Sequence, residues 1–348
     1  MRYKLLGPSG LRVSEICLGT MSFGEKWGFG ANEKDSHRVL DIYAEAGGNF
    51  LDTANIYHNG HTEEILGSWL RNNRDRMVVA SKFALATDHN DPNSAGSHRR
   101  NLRRSIDNSL RRMNIEAIDL LWVHVYDDQT PLEETLDALN DSVRSGKVHY
   151  IGISDTPAWA VSAMQTRANL LGLCPLVALQ IEYSLLERTA ERDLLPMAEH
   201  FGLAVTAWGP MAGGVLSGKY TRNQDNDSLR KQANDGANRT SEEALNIAKR
   251  VDKVADDLGV SSAQVALAWV LQQGYRFIPI VGARKESQIV DSLKAAELPS
   301  FADEHRQALE DASKVELGFP HAFLRQDYVA DMRYTEKRQL ISLRPKKH

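Results

Sequence analysis

The stretch from Phe50 to Gly67, FLDTANIYHNGHTEEILG, places a carboxylate and a phenol close together in the sequence. A short apolar run ends at Asp52, and Tyr57 follows five residues later. The turn Asn59-Gly60 then leads into a helical pattern, for which Thr62 is a candidate N-cap. We therefore expect Asp52 at the end of a strand and Tyr57 in the loop that joins this strand to the next helix.

Two further ionisable side chains are expected at the ends of the next two strands. VVASKF leads to Lys82, and LLWVH ends at His124. An ammonium beside Tyr57 would favour the phenolate, and lowering its ordinary pKa of about 10 by ~2 units requires about 2.7 kcal/mol. Asp52 would hold Lys82 charged, and His124 would orient a substrate oxygen. Such a tyrosine is a general acid for an alkoxide that develops from a carbonyl, and the reaction then needs a hydride, which implies a nicotinamide.

The elements that must position these residues alternate regularly along the chain. After a hairpin at Gly7-Pro8-Ser9-Gly10, eight strand–helix units follow without a linker-like change in composition. The predicted strands are 16–18, 50–52, 78–80, 118–123, 148–153, 177–181, 203–207 and 277–281. Eight such units favour a closed (β/α)₈ TIM barrel in a single domain, residues 1–348. An open doubly wound sheet is the alternative, but GTMSFG after the first strand lacks the G-x-G-x-x-G spacing.

The sequence also predicts the structure of several segments that connect or follow the strands. Ser97 is expected to cap the helix that follows strand three. The loop after strand seven is long and polar to about Arg239, and helices are expected over 242–258 and 263–272. The tail from 304 to 348 is partly helical in pattern and ends in basic residues, which is typical of a frayed terminus. Because the active site of such a barrel lies where its strands end, Asp52, Lys82 and His124 should share one rim.

Composition argues against several classes of partner. The chain has 348 residues, of which 42% are apolar, and a net charge of −4, which is small for a protein that binds nucleic acid or an anionic membrane. The N-terminus lacks the apolar segment of a signal peptide, and the longest apolar run, residues 265–271, is too short to span a bilayer. Cys17 and Cys174 are expected to be free thiols, as in a reducing cytoplasm.

The motifs together resemble those of the aldo-keto reductase family. LGPSGLRVSEICLGTMSFG, DTANIY, VVASKF, LLWVH, GKVHYIGIS, LQIEYSLLER, AWGPMAGGVLSGKY and IPIVGARKESQ occur in the family's order and cover essentially the whole chain. The arrangement is most similar to bacterial members near the potassium-channel β-subunit branch. The resemblance implies a catalytic tetrad of Asp52, Tyr57, Lys82 and His124, in which Tyr57 is the acid and NADPH or NADP⁺ is the cofactor.

The resemblance also implies a set of cofactor contacts. Ser154 and Gln180 would hold the carboxamide, and Trp208 would stack on the nicotinamide ring. The remaining implied cofactor residues are Gly19, Thr20, Met21, Asp52, Gly209, Met211, Gly213, Gly214, Lys219, Gly282, Arg284, Gln288, Asp291 and Ser292. Arg284 suits a 2′-phosphate and so favours NADPH over NADH. The family often has Asn where this chain has Asp155, and a carboxylate there cannot donate to the carboxamide.

Other interpretations of the site are weaker. Phe23, Trp27, Tyr57 and His124 are expected to contact substrate. GGVLSGKY nearly matches a phosphate-binding P-loop but has Tyr220 in place of Ser or Thr, and the His58, His61, Glu63, Glu64 group lacks the spacing of a closed metal site.

Rival functions are oxidation of a sugar or other polyol, a channel-associated regulatory subunit with vestigial catalysis, and metal-assisted hydrolysis. Relatives of such proteins range from monomers to octamers, so a homo-oligomer is possible, and the sequence does not identify the substrate.

Overall fold

A closed barrel of parallel strands organises the structure. The computed structural model describes residues 1–222, 229–274, 276–335 and 337–342. An antiparallel hairpin, β1 (Tyr3–Leu5) and β2 (Arg12–Ser14), precedes the barrel. In this part of the chain eight strands pair in sequence order and the last closes on the first, so the predicted (β/α)₈ barrel is confirmed and the open sheet is wrong. The strands are β3 (Cys17–Gly19), β4 (Phe50–Asp52), β5 (Val78–Phe83), β6 (Ile118–Val123), β7 (Val148–Ser154), β8 (Leu176–Glu182), β9 (Ala204–Trp208) and β10 (Phe277–Gly282).

Alternate residues of the barrel strands belong to two separate hydrophobic cores. Leu18, Leu51 and Val79 pack in the larger core, which includes apolar residues of the helices. Their neighbours Cys17 and Phe50 belong to the smaller core, which the hairpin also joins. This division follows from the two-residue period of a strand, whose side chains point alternately to the helices and to the barrel interior.

The hairpin lies at the end of the barrel where the strands begin. Leu6 and Val13 pack in the smaller core. The ammonium of Lys4 donates to the carbonyl of Phe277, the first residue of β10, at 2.6 Å. Gly7 approaches the start of β8 so closely that a Cβ atom there would lie 1.9 Å from the carbonyl oxygen of Val177. A site built on this barrel is therefore expected at the opposite end, where the strands finish.

Helices alternate with the barrel strands. The helices up to the end of the barrel are α1 (Glu33–Glu45), α2 (His61–Leu70), α3 (Arg99–Met113), α4 (Leu132–Arg144), α5 (Ala158–Leu171), α6 (Leu194–Phe201), α7 (Leu229–Gly236), α8 (Glu242–Leu258), α9 (Ser262–Leu271), α10 (Glu286–Leu293) and α11 (Asp303–Ala312). The helix predicted over 242–258 is confirmed. The prediction of a long polar loop to about Arg239 is wrong over Leu229–Gly236, where α7 forms.

The start of α2 differs from its prediction. The helix begins at His61 behind Gly60, which adopts a left-handed conformation and offers no side-chain cap. Thr62 lies inside the first turn, and its hydroxyl donates to the carbonyl of Phe23 at 2.7 Å. Thr62 therefore connects the helix to the loop after β3 instead of capping the helix.

The start of α3 differs in the same way. Its N-cap is His98, whose ring nitrogen accepts from the backbone N–H of Asn101. The hydroxyl of Ser97 instead contacts the hydroxyl of Thr135 in α4 at 2.9 Å. The hydroxyl of Ser97, which the sequence predicts as a local helix cap, thus bonds to a residue of another helix instead.

The last residues form a second compact unit, Lys314–His348, after a first unit that spans Met1–Ser313. The second unit contains α12 (His321–Leu324) and α13 (Asp327–Tyr334), as the partly helical pattern predicts. The basic end at residues 344–348 lies outside the described residues. The prediction of one domain over 1–348 stays a prediction.

Two findings concern membranes and cysteines. No single helix in the described ranges is long and apolar enough to cross a membrane, although α8 and α9 pass the same test as a pair bent by 98°. Cys17 and Cys174 are both free, as predicted; Cys17 is buried and Cys174 is half-buried.

Candidate active site

A buried ion pair lies at the rim where β4 and β5 end. Asp52 is the last residue of β4 and lies opposite Ala80 of β5, so Lys82, two residues further, points to the same face. The ammonium of Lys82 donates to the carboxylate of Asp52 and, at 2.9 Å, to the carbonyl of Thr53. Both ionic side chains are almost completely buried. Burial disfavours the ammonium, but Asp52 and then Tyr57 favour it more strongly, so the pKa of Lys82 lies above its ordinary value.

Tyr57 extends this ion pair to the open end of the barrel. It begins a short 3₁₀ turn after β4, and its phenol oxygen accepts from Lys82 Nζ at 3.2 Å. Burial raises the pKa of Tyr57, and the nearby charge of Lys82 offsets only part of this effect. The expected net lowering of this pKa is therefore wrong, because desolvation exceeds the attraction of the ammonium. Tyr57 therefore keeps its proton at neutral pH, as a general acid must.

His124 completes the group from the neighbouring strand. It follows β6, and its backbone N–H donates to the carbonyl of Phe83, the last residue of β5, at 2.9 Å. Its ring lies edge-on to the ring of Tyr57, with 6.0 Å between centroids. Burial and then the charge of Lys82 lower the pKa of His124 to about 3. Nδ1 is buried and has no hydrogen-bond partner among the described residues, so a neutral imidazole faces the phenol with one nitrogen unused.

Gln180 contacts Asp52 from the opposite side of the barrel. Its side-chain amide donates to the second oxygen of Asp52 at 3.0 Å. Gln180 is nearly buried on β8 and lies opposite Ser154 of β7. The family resemblance implies that Gln180 contacts the carboxamide, and the structure adds that it holds Asp52. The two residues are 128 positions apart in the chain, so no local pattern could have indicated this contact.

A model of the aldo/keto reductase family matches residues 15–314. The chain belongs to the aldo/keto reductase family. The predicted enzyme class, a nicotinamide-dependent oxidoreductase with a TIM barrel, is thereby confirmed.

Three curated relatives are similar over nearly their whole length. The aldo-keto reductase ausK of Aspergillus calidoustus is 39% identical over 337 residues, which cover 92% of this chain and 84% of that protein. The norsolorinic acid reductase B of Aspergillus parasiticus is 38% identical, with coverages of 93% and 87%. The aryl-alcohol dehydrogenase [NADP(+)] of Phanerodontia chrysosporium is 35% identical, with coverages of 92% and 88%. All three are fungal proteins.

The rim of this aldo/keto reductase carries polar atoms that fit a nicotinamide carboxamide. The hydroxyl oxygen of Ser154 is buried and has no hydrogen-bond partner in the described part of the chain. Gln180 lies beside it at the end of β8. Trp208 ends β9, half-buried, and its indole N–H donates to the carboxylate of Asp155 at 3.0 Å. These residues suit an amide and an aromatic ring, so the site fits the group that the family uses.

A glycine-rich segment after β9 provides a backbone surface that suits a pyrophosphate. Gly209, Gly213 and Gly214 all have positive φ, at 64°, 66° and 94°. Gly213 lies so close to Asn234 of α7 that a Cβ atom would be 2.2 Å from its side-chain oxygen. Met211 of the same segment is half-buried, and Lys219 is exposed. Left-handed glycines allow backbone N–H groups to approach an anion closely.

The start of the barrel contributes to the same rim. Gly19 ends β3 and lies opposite Gly282, the last residue of β10. The hydroxyl of Thr20 donates to the carbonyl of Asp52 at 3.0 Å, and Met21 is exposed. Thr20 therefore helps to position Asp52, while its predicted contact with the cofactor stays a prediction.

The cofactor residues that the resemblance implies after β10 fall into an exposed group and a group that is buried or already hydrogen-bonded. Arg284 and Gln288 are exposed at the start of α10, where the side chain of Gln288 accepts from the backbone N–H of Arg284 at 2.8 Å. In contrast, Ser292 is buried. Both oxygens of Asp291 already accept hydrogen bonds from the start of α9, from Ser261 at 2.8 Å and Gln264 at 2.6 Å. Asp291 thus connects two helices, and its predicted role towards the cofactor stays a prediction.

The predicted substrate residues separate in the structure. Phe23 is fully buried in the larger core, so the prediction that it contacts substrate is wrong. Its loop carries Phe23 inwards and presents Trp27 instead. The half-buried ring of Trp27 lies edge-on to Tyr57, with 6.3 Å between centroids. Trp27, Tyr57 and His124 therefore surround the same space at the rim.

His58 is a residue of this rim that the sequence predictions missed. It has a left-handed backbone and a buried side chain, and its ring stacks on Trp27 with 4.5 Å between centroids. Its Nδ1 accepts from the backbone N–H of Trp27 at 3.3 Å, so Nε2 carries the proton and donates to the carbonyl of Met21 at 3.1 Å. His58 thus fastens the loop after β3 to the turn that carries Tyr57.

The four residues that were weighed as a metal site, His58, His61, Glu63 and Glu64, each make separate contacts within the protein. His58 holds the loop, and His61 contacts Glu64 at 2.9 Å. The buried carboxylate of Glu63 accepts from Ser81 and Arg112 at 2.7 Å. In the described ranges no group of three or more His, Cys, Asp or Glu side chains is arranged to bind a metal ion.

Proposed function

We propose that this aldo/keto reductase catalyses the reversible reduction of an aldehyde or ketone to an alcohol at the expense of NADPH. The observation that carries the proposal is the chain of contacts from Asp52 through Lys82 to Tyr57, with the ring of His124 edge-on to the ring of Tyr57. A reduced nicotinamide supplies the hydride when it is bound.

Each member of the group has a role that its contacts support. Tyr57 donates its phenol proton to the carbonyl oxygen as negative charge develops there. Lys82, held in its charged form by Asp52, stabilises the phenolate that remains. His124 is neutral, so it offers a hydrogen bond to the same oxygen without competing as an acid. In the reverse direction Tyr57 accepts the proton of the alcohol.

The preference for NADPH rests on two observations. Arg284 is exposed at the start of α10, where a guanidinium suits a 2′-phosphate. One relative over nearly the full length is named an aryl-alcohol dehydrogenase [NADP(+)]. Both support NADPH over NADH for this protein.

We further propose that the substrate carries an aromatic ring. The space above Tyr57 is bordered by Trp27 and His124, which offer edges and faces to a planar group. Relatives are named for aryl alcohols and for norsolorinic acid, which agrees with such a substrate. The predicted similarity to bacterial members near the channel β-subunit branch stays a prediction beside these fungal relatives, as do the cytoplasmic location and the homo-oligomer.

The test measures NADPH consumption with aromatic, aliphatic and sugar aldehydes, for wild type and Tyr57→Phe. We expect turnover of the aromatic carbonyls, with most of it lost in the variant. The reverse assay uses NADP⁺ with benzylic alcohols and with polyols, and a polyol preference would favour the sugar-oxidation alternative. Tight NADPH binding without turnover of any compound would favour the regulatory subunit. Activity lost in chelator would support metal-assisted chemistry.

A further inference from the structure

Asp155 is anchored by three neighbouring strands at the rim. It follows β7 directly, and its backbone N–H donates to the carbonyl of Gln180 on β8 at 3.1 Å. Its carboxylate accepts from the indole of Trp208 at the end of β9 at 3.0 Å. Its φ of 40° lies in the left-handed region, which Asp and Asn tolerate better than most residues. The carboxylate is therefore held in one place, against the one tryptophan that ends a barrel strand in the described sequence.

The charge of Asp155 acts on the reacting groups. It contributes to the raised pKa of Tyr57, and the ammonium of Lys82 acts in turn on Asp155. Asp155 is exposed at the rim, where partial desolvation raises its pKa, while the hydrogen bond from Trp208 favours its ionised form. Asp155 therefore does more than fill the position of an amide, because it places a negative charge beside the catalytic group.

We propose that Asp155 is a positioning residue that fixes the indole of Trp208 and whose charge favours the oxidised nicotinamide over the reduced one. The nicotinamide ring is cationic in NADP⁺ and neutral in NADPH, so a fixed carboxylate at this rim attracts only the oxidised form. An amide at the same position would hold the indole without this preference. The inference rests on the proposed function for the identity of the cofactor and for the place of its ring beside Trp208.

This preference has a consequence for the reaction on the protein. Tighter binding of NADP⁺ slows its release after carbonyl reduction. It also shifts the equilibrium between the bound reactants towards NADP⁺ and the alcohol, which is the direction of carbonyl reduction, without changing the equilibrium in solution. Asp155 would therefore favour hydride transfer from NADPH to the bound carbonyl, while it slows the release of NADP⁺ that completes each turnover.

The decisive experiment compares the binding of NADP⁺ and NADPH to wild type and Asp155→Asn, each measured by quenching of tryptophan fluorescence in the absence of substrate. Asparagine keeps an oxygen that accepts from the indole and tolerates the same backbone conformation, but removes the charge. We expect the Kd of NADP⁺ to rise about five- to tenfold and that of NADPH to stay within about twofold. The matched control is Asp75→Asn, an exposed residue just before β5 at the opposite end of the barrel, which should change neither Kd.

A second variant separates charge from orientation. Asp155→Ala removes both the charge and the acceptor, so we expect the same change in the ratio of the two Kd values, plus a weaker binding of both forms. An unchanged ratio in both variants, with both forms bound by wild type, would overturn the role of the charge and leave the proposed function intact. If wild type bound neither NADP⁺ nor NADPH, the proposed function would itself be wrong, and the inference with it.

Discussion

The ammonium of Lys82 lies 3.2 Å from the phenol oxygen of Tyr57 and contacts the buried carboxylate of Asp52 on its other side. One cation thus connects a proton donor at the rim to an anion inside the barrel. In the reaction that we propose, Tyr57 carries the proton, while Asp52 and Lys82 determine how readily it leaves. Substitutions of Tyr57 and Lys82 should therefore have different effects on activity and on stability.

Replacing Tyr57 with Phe should abolish most turnover and leave cofactor binding nearly intact. The variant removes the acid, which typically contributes about 10²- to 10⁴-fold to the rate. We expect kcat to fall by that order, while the Kd of NADPH stays within about twofold, since the ring of Tyr57 remains. The control is Tyr3→Phe in the hairpin, whose hydroxyl contacts the carbonyl of Gly47 at the other end of the barrel. Retention of most turnover in Tyr57→Phe would contradict the role of this phenol.

Replacing Lys82 with Met should reduce stability strongly, because it leaves the carboxylate of Asp52 buried without its cation. Removal of one partner of a buried ion pair typically costs about 3–5 kcal/mol of unfolding free energy. The double variant Lys82→Met, Asp52→Asn should recover part of this loss, since the remaining amide is uncharged. Urea unfolding measures both. A double variant no more stable than Lys82→Met would show that the pair does not account for the loss.

The positions of these residues follow from the sequence, whereas their ionisation and their long-range contacts depend on the folded chain. Strand–helix alternation predicts the barrel, and the rule that strand ends share a rim predicts that Asp52, Lys82 and His124 meet there. The pKa of Tyr57 could not be predicted, because its direction depends on burial that only the folded chain determines. The contact of Gln180 with Asp52 joins opposite sides of the barrel, and no local pattern reports it.

Loops were the least predictable part of the site. An aromatic residue in a glycine-rich loop can point inwards or outwards, and only the packing shows that Phe23 is buried while Trp27 borders the rim. The positive φ of His58 and of Asn59 depends on tertiary contacts, although the Asn59-Gly60 turn signal indicates an unusual backbone there.

Replacing His58 with Phe should loosen the loop after β3. Phenylalanine can keep the stack on Trp27 but not the acceptor for its backbone N–H or the donor to Met21. We expect a loss of about 1–3 kcal/mol of unfolding free energy from the unpaired backbone groups. Hydrogen exchange should also become faster at residues 21–31. The control is His61→Ala, which removes only a surface contact with Glu64. Unchanged exchange in His58→Phe would show that other contacts hold the loop.

The low pKa of His124 should make the protein less stable in acid. The folded protein excludes a proton at His124 down to about pH 3, whereas an imidazole in the unfolded chain takes one up below its ordinary pKa of about 6.5. The contribution of this group to stability is therefore complete above that pH and falls, by up to about 1.4 kcal/mol per unit, as the pH drops from about 6.5 towards 3. Urea unfolding of wild type and His124→Gln at pH 7, 6, 5 and 4 isolates the effect. The variant should gain on wild type as the pH falls, and a constant difference would contradict the buried, neutral imidazole.

Replacing Arg284 with Ala should weaken NADPH far more than NADH. The guanidinium is exposed at the start of α10, and its loss would remove a charge-assisted contact with the 2′-phosphate, which NADH lacks. We expect the Kd of NADPH to rise by about ten- to a hundredfold, while that of NADH changes by less than about twofold. Arg71→Ala, an exposed residue at the end of α2, controls for the loss of a positive charge elsewhere. Equal losses for the two cofactors would mean that Arg284 does not contact the phosphate, because only that group distinguishes NADPH from NADH.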